Sequence, residues 1–320
     1  MMQDQGSAGL AHASAPGAPA FSVVIPTYNR SSIVPRAISS VLAQTVTDFE
    51  LIVVDDGSTD DTANVVSAIR DDRIRLRRQQ NGGLSAARNA GAQIARGRWL
   101  TFLDDDDQAL PCWLELFRAE RADPASGIVC CGRIVVDAEG APLRTEEPMP
   151  LGPAYDDQVG SFASGTFAVR RELFESVGGY APGLQTTHGT ELAFRLVPHC
   201  LNLGLEVRSV AEPGVKIEAR PPTDRPLSTA ALLYEGVVYV LEHHRERISR
   251  SPRALANYLS IAGVSAARIG KRREARRLLA AAVRAEPRSP RRWARLAAAW
   301  VPSMGQRVWR LGEGEGLDAQ

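Results

Sequence analysis

The run Gly97-Arg98-Trp99-Leu100-Thr101-Phe102-Leu103-Asp104-Asp105-Asp106-Asp107 decides the expected fold of this chain. Trp99–Leu103 is short, apolar and rich in β-forming residues, which is typical of a buried strand in a parallel sheet. Four consecutive carboxylates cannot remain in that core, so we expect them at the carboxyl end of the strand. Open α/β sheets bind their ligands at that edge.

The four carboxylates favour a cation site. Neighbouring carboxylates repel one another unless a cation neutralises them, and hard oxygen ligands suit Mg²⁺ or Mn²⁺, usually shared with substrate phosphates. Asp104–Asp107 therefore predicts a clamp for a metal ion and a diphosphate. The alternative is a solvated acidic loop that caps the next helix.

Upstream of this run, strands and helices alternate. The expected strands are Phe21–Pro26, Phe49–Val54 and Ile74–Arg77. The expected helices run from about Ser32 to Gln44, from caps at Ser58–Asp61 to Ile69, and from the Gly82-Gly83 turn to Gly97. This alternation implies a parallel sheet with right-handed crossovers.

Polar groups follow three of these strands, at Thr27–Arg30, Asp55–Asp56 and Asp104–Asp107. The carboxyl ends of parallel strands lie at one edge of a sheet, so one shared site is expected. The sequence has neither a Gly-x-Gly-x-x-Gly run nor a Gly-Lys-Ser/Thr run, which argues against dinucleotide and P-loop chemistry.

Composition indicates an ordinary globular protein of 320 residues, with 44% apolar and 23% charged residues. Residues 1–20 lack Lys and Arg and are expected to be a disordered leader. No apolar run reaches 18 residues, so no transmembrane helix is expected. The four cysteines show neither zinc spacing nor a redox pair, which favours buried thiols and a cytoplasmic location.

The C-terminal region has a different charge from the rest. Arg245–Arg310 contains 17 Lys and Arg residues and three acids, although the whole chain has a net charge of only +1. Small residues and a proline fall at the positions typical of one tetratricopeptide-like helical hairpin, namely Gly263, Gly270, Ala275, Ala282 and Pro287. A single repeat cannot bury its own apolar face, so we expect it to pack on the preceding domain or on another chain.

Arginines and tryptophans occur together in this region, at Trp293, Trp300 and Trp309. Such a surface suits peripheral contact with an anionic membrane, and the alternative is a solvated basic face over core tryptophans. No nucleic-acid motif accompanies the charge, so nucleic-acid binding is not expected.

Four motifs, in order, resemble those of family 2 glycosyltransferases with the GT-A fold. They are Val23–Arg30, Val53–Asp60, Gly82–Asn89 and Phe102–Asp107, and the resemblance extends over about Phe21–Leu203. It implies an α/β fold of GT-A type, Rossmann-like, with a mainly parallel sheet and flanking helices. A C-terminal all-α extension with the tetratricopeptide-like hairpin would follow.

The expected domains follow from these patterns. A GT-A domain is expected over residues 21–226, with a nucleotide half at 21–107 and an acceptor half at 108–226. A basic helical domain is expected at 227–311, and a flexible tail at 312–320.

The resemblance also implies roles for residues of the nucleotide half. Asp55 would accept a hydrogen bond from a uracil or thymine imide, and Asp104 and Asp106 match the Asp-x-Asp signature that holds Mg²⁺ or Mn²⁺. The residues expected at the nucleotide-sugar are Pro26, Thr27, Tyr28, Arg30, Asp55, Asp56, Arg88, Asp104 and Asp105.

The expected catalytic base departs from the family pattern. In the family, an Asp a few residues before the Arg-Leu pair acts as the general base. Counting back from Arg195, that position is occupied here by Gly189. An inverting transfer needs a base at the acceptor hydroxyl, and the candidates are Glu191, His188 or a shifted loop. Alternatively, Glu191 pairs with Arg195 at i+4 and has no catalytic role.

The resemblance implies a metal-dependent inverting glycosyltransferase. It would move a sugar, with a UDP- or dTDP-sugar favoured as donor, to a glycan or lipid-linked acceptor, in the cytoplasm or at the inner face of the membrane. Lys216, Glu218 and Arg220 would lie in a loop closing over the donor. The first alternative is a nucleotide-sugar sensor or scaffold without catalytic activity. The second is a sugar nucleotidyltransferase, which would need a glycine-rich loop after the first strand, and Pro26–Arg30 contains no glycine.

Overall fold

The structure is a computed structural model that describes residues 17–219 and 227–300. The expected flexible tail, Arg220 and Trp309 lie outside these ranges, as does most of the expected leader. The domain boundaries therefore stay predictions.

The described ranges contain eleven strands, ten α-helices and one 3₁₀ turn. In chain order these are β1 (Phe21–Thr27), α1 (Val34–Leu42), β2 (Phe49–Asp55), α2 (Thr62–Ala68), β3 (Ile74–Arg78), α3 (Leu84–Gln93), β4 (Trp99–Phe102), β5 (Gln108–Ala109), α4 (Trp113–Arg121), β6 (Ser126–Val136), β7 (Pro142–Glu146), β8 (Met149–Pro150), the 3₁₀ turn Pro153–Tyr155, β9 (Val159–Gly160), β10 (Phe167–Arg170), α5 (Arg171–Ser176), α6 (His188–Asn202), β11 (Glu206–Glu218), α7 (Leu227–Ile248), α8 (Pro252–Arg268), α9 (Arg272–Ala285) and α10 (Pro290–Ala298).

The main sheet has the strand order β3-β2-β1-β4-β10-β6-β11-β5, and β7 pairs with β6 outside this path. The first four strands are parallel, as predicted, and Thr27 stands beside Asp55 in the register. Beyond β4 the sheet is mixed, because β10 enters antiparallel between β4 and β6. The parallel part therefore coincides with the expected nucleotide half.

Alternating side chains of the sheet pack into two hydrophobic cores, one on each face of the sheet. Val23 and Ile25 pack with α1, α2 and α4 on one side, and Val24 packs with α3, α5 and α6 on the other. Helix α3 ends at Gln93, before the predicted Gly97, because the backbone N–H of Arg96 donates to the buried Glu50 carboxylate at 2.6 Å. Cys130, Cys131 and Cys200 are buried as predicted, whereas Cys112 is exposed.

The C-terminal helices share the core that lies under α6. Val237, Leu259 and Leu278 belong to the same cluster of buried side chains as Phe102 and Leu192. The α8–α9 hairpin therefore packs on the α/β domain, which was one of the two arrangements expected for a lone repeat. None of the helices in the described ranges has the length and the apolar composition needed to cross a membrane.

Two glycines permit the close packing of the hairpin. A Cβ at Gly263 would lie 2.7 Å from Leu279 Cγ, and Gly270 has a φ of +80° in the turn between the two helices. Both positions were predicted from the repeat pattern.

Candidate functional site

The ends of β1, β2 and β4 meet at one edge of the sheet. The hydroxyl of Thr27, at the end of β1, donates to Asp105 Oδ2 at 2.8 Å, and Asp55 ends the neighbouring β2. The polar groups expected at separate strand ends therefore lie together at one edge of the sheet.

The loops after β1 and β2 are locked together. Asn29 adopts a φ of +52° and accepts from the backbone N–H of Thr59 at 2.8 Å, and its own N–H donates to Ser58 Oγ at 2.9 Å. The N–H of Arg30 donates to Thr62 Oγ1 at 3.0 Å. Tyr28 is left 46% exposed at the surface of this paired loop, within reach of solvent and ligands.

The two acids after β2 have different partners. Asp55 is fully buried and accepts from the N–H of Ser58 and from Arg78 Nε, both at 2.8 Å. Asp56 accepts from the backbone N–H groups of Gly82 and Gly83 at 2.9 and 2.8 Å. Asp56 therefore fixes the glycine turn that opens α3. Each carboxylate oxygen has two acceptor positions, so Asp55 retains acceptor capacity for a ligand.

Helix α3 presents Arg88 to the acidic loop. This buried guanidinium donates to Asp104 Oδ1 at 2.6 Å and lies 5.1 Å from the ring centre of Tyr180. The next residue, Asn89, exchanges two hydrogen bonds of 2.8 Å with the backbone of Tyr180. The run Ala87-Arg88-Asn89 thereby meets Gly178-Gly179-Tyr180, which is far away in the sequence.

The acidic loop itself forms a compact cluster. Asp104, Asp106 and Asp107 each offer an oxygen, and these atoms lie within 4.8 Å of one another. The backbone carbonyl of Asp106 accepts from Arg36 Nη2 at 2.9 Å. Three carboxylates at this spacing fit a hard divalent cation. The sequence pointed to Asp104 and Asp106, and the structure adds Asp107.

Two pKa shifts follow from these surroundings. Burial raises the pKa of Asp104, but the charge and hydrogen bond of Arg88 outweigh this effect and hold that pKa below its usual value. Burial raises the pKa of Asp105 to about 6, despite the hydrogen bond from Thr27. Asp104 is therefore ionised over a wider pH range than Asp105.

At the first turn of α6, His188 is next to this cluster. Its Nδ1 lies 3.3 Å from the carbonyl oxygen of Leu184. Burial and the charge of Arg88 lower the pKa of His188 to about 4, against the opposing effect of Asp104. The imidazole is therefore neutral near pH 7. With Nδ1–H donating to Leu184, Nε2 is the acceptor atom.

The usual position of the base has no room for a side chain. A Cβ at Gly189 would lie 2.1 Å from the carbonyl oxygen of Phe162. The first turn of α6 thus packs directly on backbone, and an Asp at position 189 would require one of the two segments to move.

Glu191 is enclosed by other partners. It is 2% exposed, and it accepts from Arg195 Nε at 2.7 Å, from Arg195 Nη2, and from His244 Nε2 at 3.2 Å. Arg195 also donates to the carbonyls of Val177 and Gly179. The i+4 pair that the sequence left open is therefore present. His244 comes from α7, 53 residues away, and no sequence signal pointed to it.

The prediction of a loop that closes over the donor is wrong for Lys216 and Glu218. Lys216 and Glu218 lie in β11 and pair with β6 in the sheet, because β6 is long enough to accompany β11 to its end. Arg220 lies outside the described residues.

The sheet has this strand order and carries acidic groups at the carboxyl ends of its parallel strands. Together these features define a domain of the GT-A type. Residues 22–178 of this chain match the model of glycosyl transferase family 2.

Similar proteins agree with this assignment. The succinoglycan biosynthesis protein ExoO of Rhizobium meliloti is 42% identical over 128 residues, which are 39% of this chain and 36% of ExoO. The chain spans about a third of the length of the first curated relatives that it matches.

Two solved structures share the fold. S. aureus TarS 1-349 in complex with UDP-GlcNAc has a TM-score of 0.59 and 19% identity, over 90% of this chain and 87% of TarS 1-349. The mannosyltransferase PcManGT from Pyrobaculum calidifontis, in complex with GDP-Man and Mn²⁺, has a TM-score of 0.55 and 19% identity, over 92% of this chain and 87% of PcManGT.

Proposed function

We propose that this protein is an inverting glycosyltransferase that moves a sugar from a nucleotide diphosphate-sugar to a hydroxyl of a glycan or lipid-linked acceptor. The observation that carries the proposal is the meeting of Thr27, Asp55 and the Asp104–Asp107 cluster at one sheet edge. The fold-level likeness to proteins solved with UDP-GlcNAc and with GDP-Man and Mn²⁺ supports it.

The nucleotide occupies the paired loops after β1 and β2. Asp55 accepts from the imide N–H of the base, which favours UDP- or dTDP-sugars. Pro26, Thr27, Tyr28 and Arg30 border the nucleoside, and Asp56 acts through the Gly82-Gly83 turn. Buried Arg88 Nε has no acceptor among the residues described, so it is available to an oxygen of the diphosphate.

The acidic cluster would hold a divalent ion. Asp104 and Asp106, with Asp107, would bind Mg²⁺ or Mn²⁺, while Asp105 is directed to Thr27. When bound, the ion supplies Lewis-acid stabilisation of the departing nucleoside diphosphate. Arg88 keeps Asp104 ionised and adds a positive charge beside the leaving group.

For the base, the geometry favours His188 over Glu191. His188 has an acceptor nitrogen and lies beside Asp104 and Arg88, whereas the oxygens of Glu191 are hydrogen-bonded to Arg195 and His244. His188 Nε2 takes the proton of the acceptor hydroxyl. Glu191 holds α6 so that His188 is in place.

Donor binding tests the proposal. Thermal shift with UDP, dTDP and GDP, each with and without Mn²⁺, should show Mn²⁺-dependent stabilisation by at least one nucleotide. Asp106→Ala should abolish this stabilisation and sugar transfer, because it removes one ligand of the cluster. Asp72→Ala, at an exposed aspartate before β3, should behave as the wild type. Unchanged metal-dependent binding in Asp106→Ala would refute the clamp.

A second candidate is a nucleotide-sugar sensor or scaffold without turnover. The observation that favours it is Gly189, where the usual carboxylate has no room. Calorimetric donor binding without donor hydrolysis, and without transfer to any of a broad panel of acceptors, would favour this candidate over the enzyme.

The basic C-terminal helices support a proposal for the cellular location of the protein. Trp293 and Trp300 on and beside α10 are 54% and 61% exposed, and Arg276 lies over the ring of Trp300. We place the enzyme in the cytoplasm, in peripheral contact with the anionic inner face of the membrane, where lipid-linked acceptors are presented.

A further inference from the structure

A cleft lies between the loop before α6 and the helix α7 of the C-terminal extension. Its volume is about 250 Å³. Leu184 and Gln185 line it from the loop, and Leu232, Glu235 and Tyr239 line it from α7. Both walls of the cleft therefore lie beyond residue 178, where the family match ends.

One wall of this cleft is shared with the transfer site. The carbonyl oxygen of Leu184 lies 3.3 Å from His188 Nδ1 and accepts from the buried Ser85 hydroxyl at 3.3 Å. The loop is pressed onto α7 at Gly236, where a Cβ would lie 2.5 Å from Thr186 Oγ1 and 2.6 Å from Thr187 Oγ1. The position of His188 and the shape of the cleft thus depend on the same contact.

The lining combines polar groups with an aromatic ring. Glu235 and Gln185 are exposed, and neither side chain has a hydrogen-bond or ionic partner within the described part of the chain. Tyr239 is half-buried, and its ring stacks on His243 with centroids 3.8 Å apart. A carboxylate and an amide suit the hydroxyls of a sugar, and a fixed aromatic ring suits the apolar face of a pyranose.

We propose that this cleft binds a pyranose unit of the acceptor, next to the unit whose hydroxyl is glycosylated. The inference rests on the proposed transferase function. It extends the acceptor site from the GT-A part onto α7, with Glu235 and Gln185 as hydrogen-bonding residues and Tyr239 as the packing platform. Acceptor choice would then depend on the C-terminal extension.

Saturation-transfer NMR can test the cleft without knowledge of the natural acceptor. The probes are the methyl pyranosides of glucose, galactose, mannose and N-acetylglucosamine, added to the full chain with Mg²⁺ and with UDP, dTDP or GDP. We expect saturation of at least one methyl pyranoside by the wild type. Glu235→Gln and Tyr239→Ala should each lower that signal at least fivefold and leave the nucleotide signals unchanged.

The matched control is Glu242→Gln, an exposed glutamate two turns further along α7 and outside the cleft. It should keep the wild-type glycoside signal. The cleft assignment is overturned if nucleotide signals are present without any glycoside signal, or if both variants saturate the glycosides as the wild type does. Loss of nucleotide signals in the wild type would instead refute the donor site, so the two failures can be told apart.

Discussion

Glu191 shows how one buried carboxylate can hold a helix in place, because it joins Arg195 on α6 to His244 on α7. Burial raises its pKa, but the hydrogen bonds from His244 and Arg195 outweigh this effect, and the pKa lies below the ordinary value of 4.5. A group whose pKa is depressed by folding stabilises the native state above its unfolded pKa and loses that contribution as the pH falls through its folded pKa.

Glu191→Gln should therefore lower the free energy of unfolding by about 2–3 kcal/mol at pH 7, because Arg195 loses its ionic partner. The difference from the wild type should stay constant down to about pH 5 and narrow below pH 4.5. Urea unfolding at a series of pH values measures it. Glu212→Gln, at an exposed site on β11, should show no such dependence, and an equally small effect of Glu191→Gln would argue against the buried pair.

His188→Gln should lower kcat by about 10²–10⁴-fold, which is the usual contribution of a general base, with little change in the KM of the donor. The amide group of Gln can keep the hydrogen bond to the carbonyl oxygen of Leu184. The variant should therefore still fold. Steady-state kinetics with the donor found in the thermal-shift screen would show this. His199→Gln, on the last turn of the same helix, is the control. A His188→Gln enzyme with full kcat would exclude the assigned base.

At this scale the sequence predicted which residues gather but not all of their partners. Thr27, Asp55 and Asp104 were expected together because parallel strands end at one edge. In the structure Asp105 contacts Thr27, whereas Asp107 joins the cluster. Side chains in an irregular loop do not alternate regularly as they do in a strand, so the sequence could not predict these directions. His244 meets Glu191 only because α7 packs on α6.

Among the elements, β1 to β4 were predicted within one residue because each run of β-forming residues ends at a clear turn signal. The antiparallel insertion of β10 was not predicted. Phe167–Arg170 is buried on both faces over four residues, and such a short run carries no information about strand direction.

Helix α10 is held by the ionic and hydrogen-bonding contacts of one buried arginine, and its tryptophans lie on the exposed side. Arg292 is buried and donates to Glu286, to Asn257, to Ser260 and to the carbonyl of Ala256. Trp293, Ala297 and Trp300 follow one another at i, i+4 and i+7, so they share the exposed side. Arg276 lies 4.0 Å from the ring centre of Trp300.

The double variant Trp293→Ala/Trp300→Ala should bind vesicles of phosphatidylserine and phosphatidylcholine about tenfold more weakly than the wild type, because interfacial tryptophans contribute to such binding. Sedimentation with these vesicles, and with pure phosphatidylcholine, measures both contributions. Leu143→Ala, at a 56% exposed site on β7, should bind as the wild type does. Equal binding to neutral and anionic vesicles would contradict the proposed contact.

For the whole molecule, the shared core makes the C-terminal helices a structural part of the α/β domain. A chain ending at residue 226 would expose Leu192, Phe194 and their neighbours to water, since their partners Val237, Val240 and Leu259 would be missing. We expect this truncated chain to aggregate, or to lose cooperative thermal unfolding, as judged by size-exclusion chromatography and circular dichroism beside the full chain. A soluble, cooperatively folding fragment would show that the α/β part is independent.

The contact between Glu191 and His244 also bears on how such enzymes could be recombined. A chimera that takes residues 227–300 from a relative would inherit half of a buried ionic pair and one wall of the cleft that we propose as a sugar site. The fusion point of a functional chimera should therefore lie before residue 182. The loop before α6, α6 itself and α7 would then all come from the same parent protein.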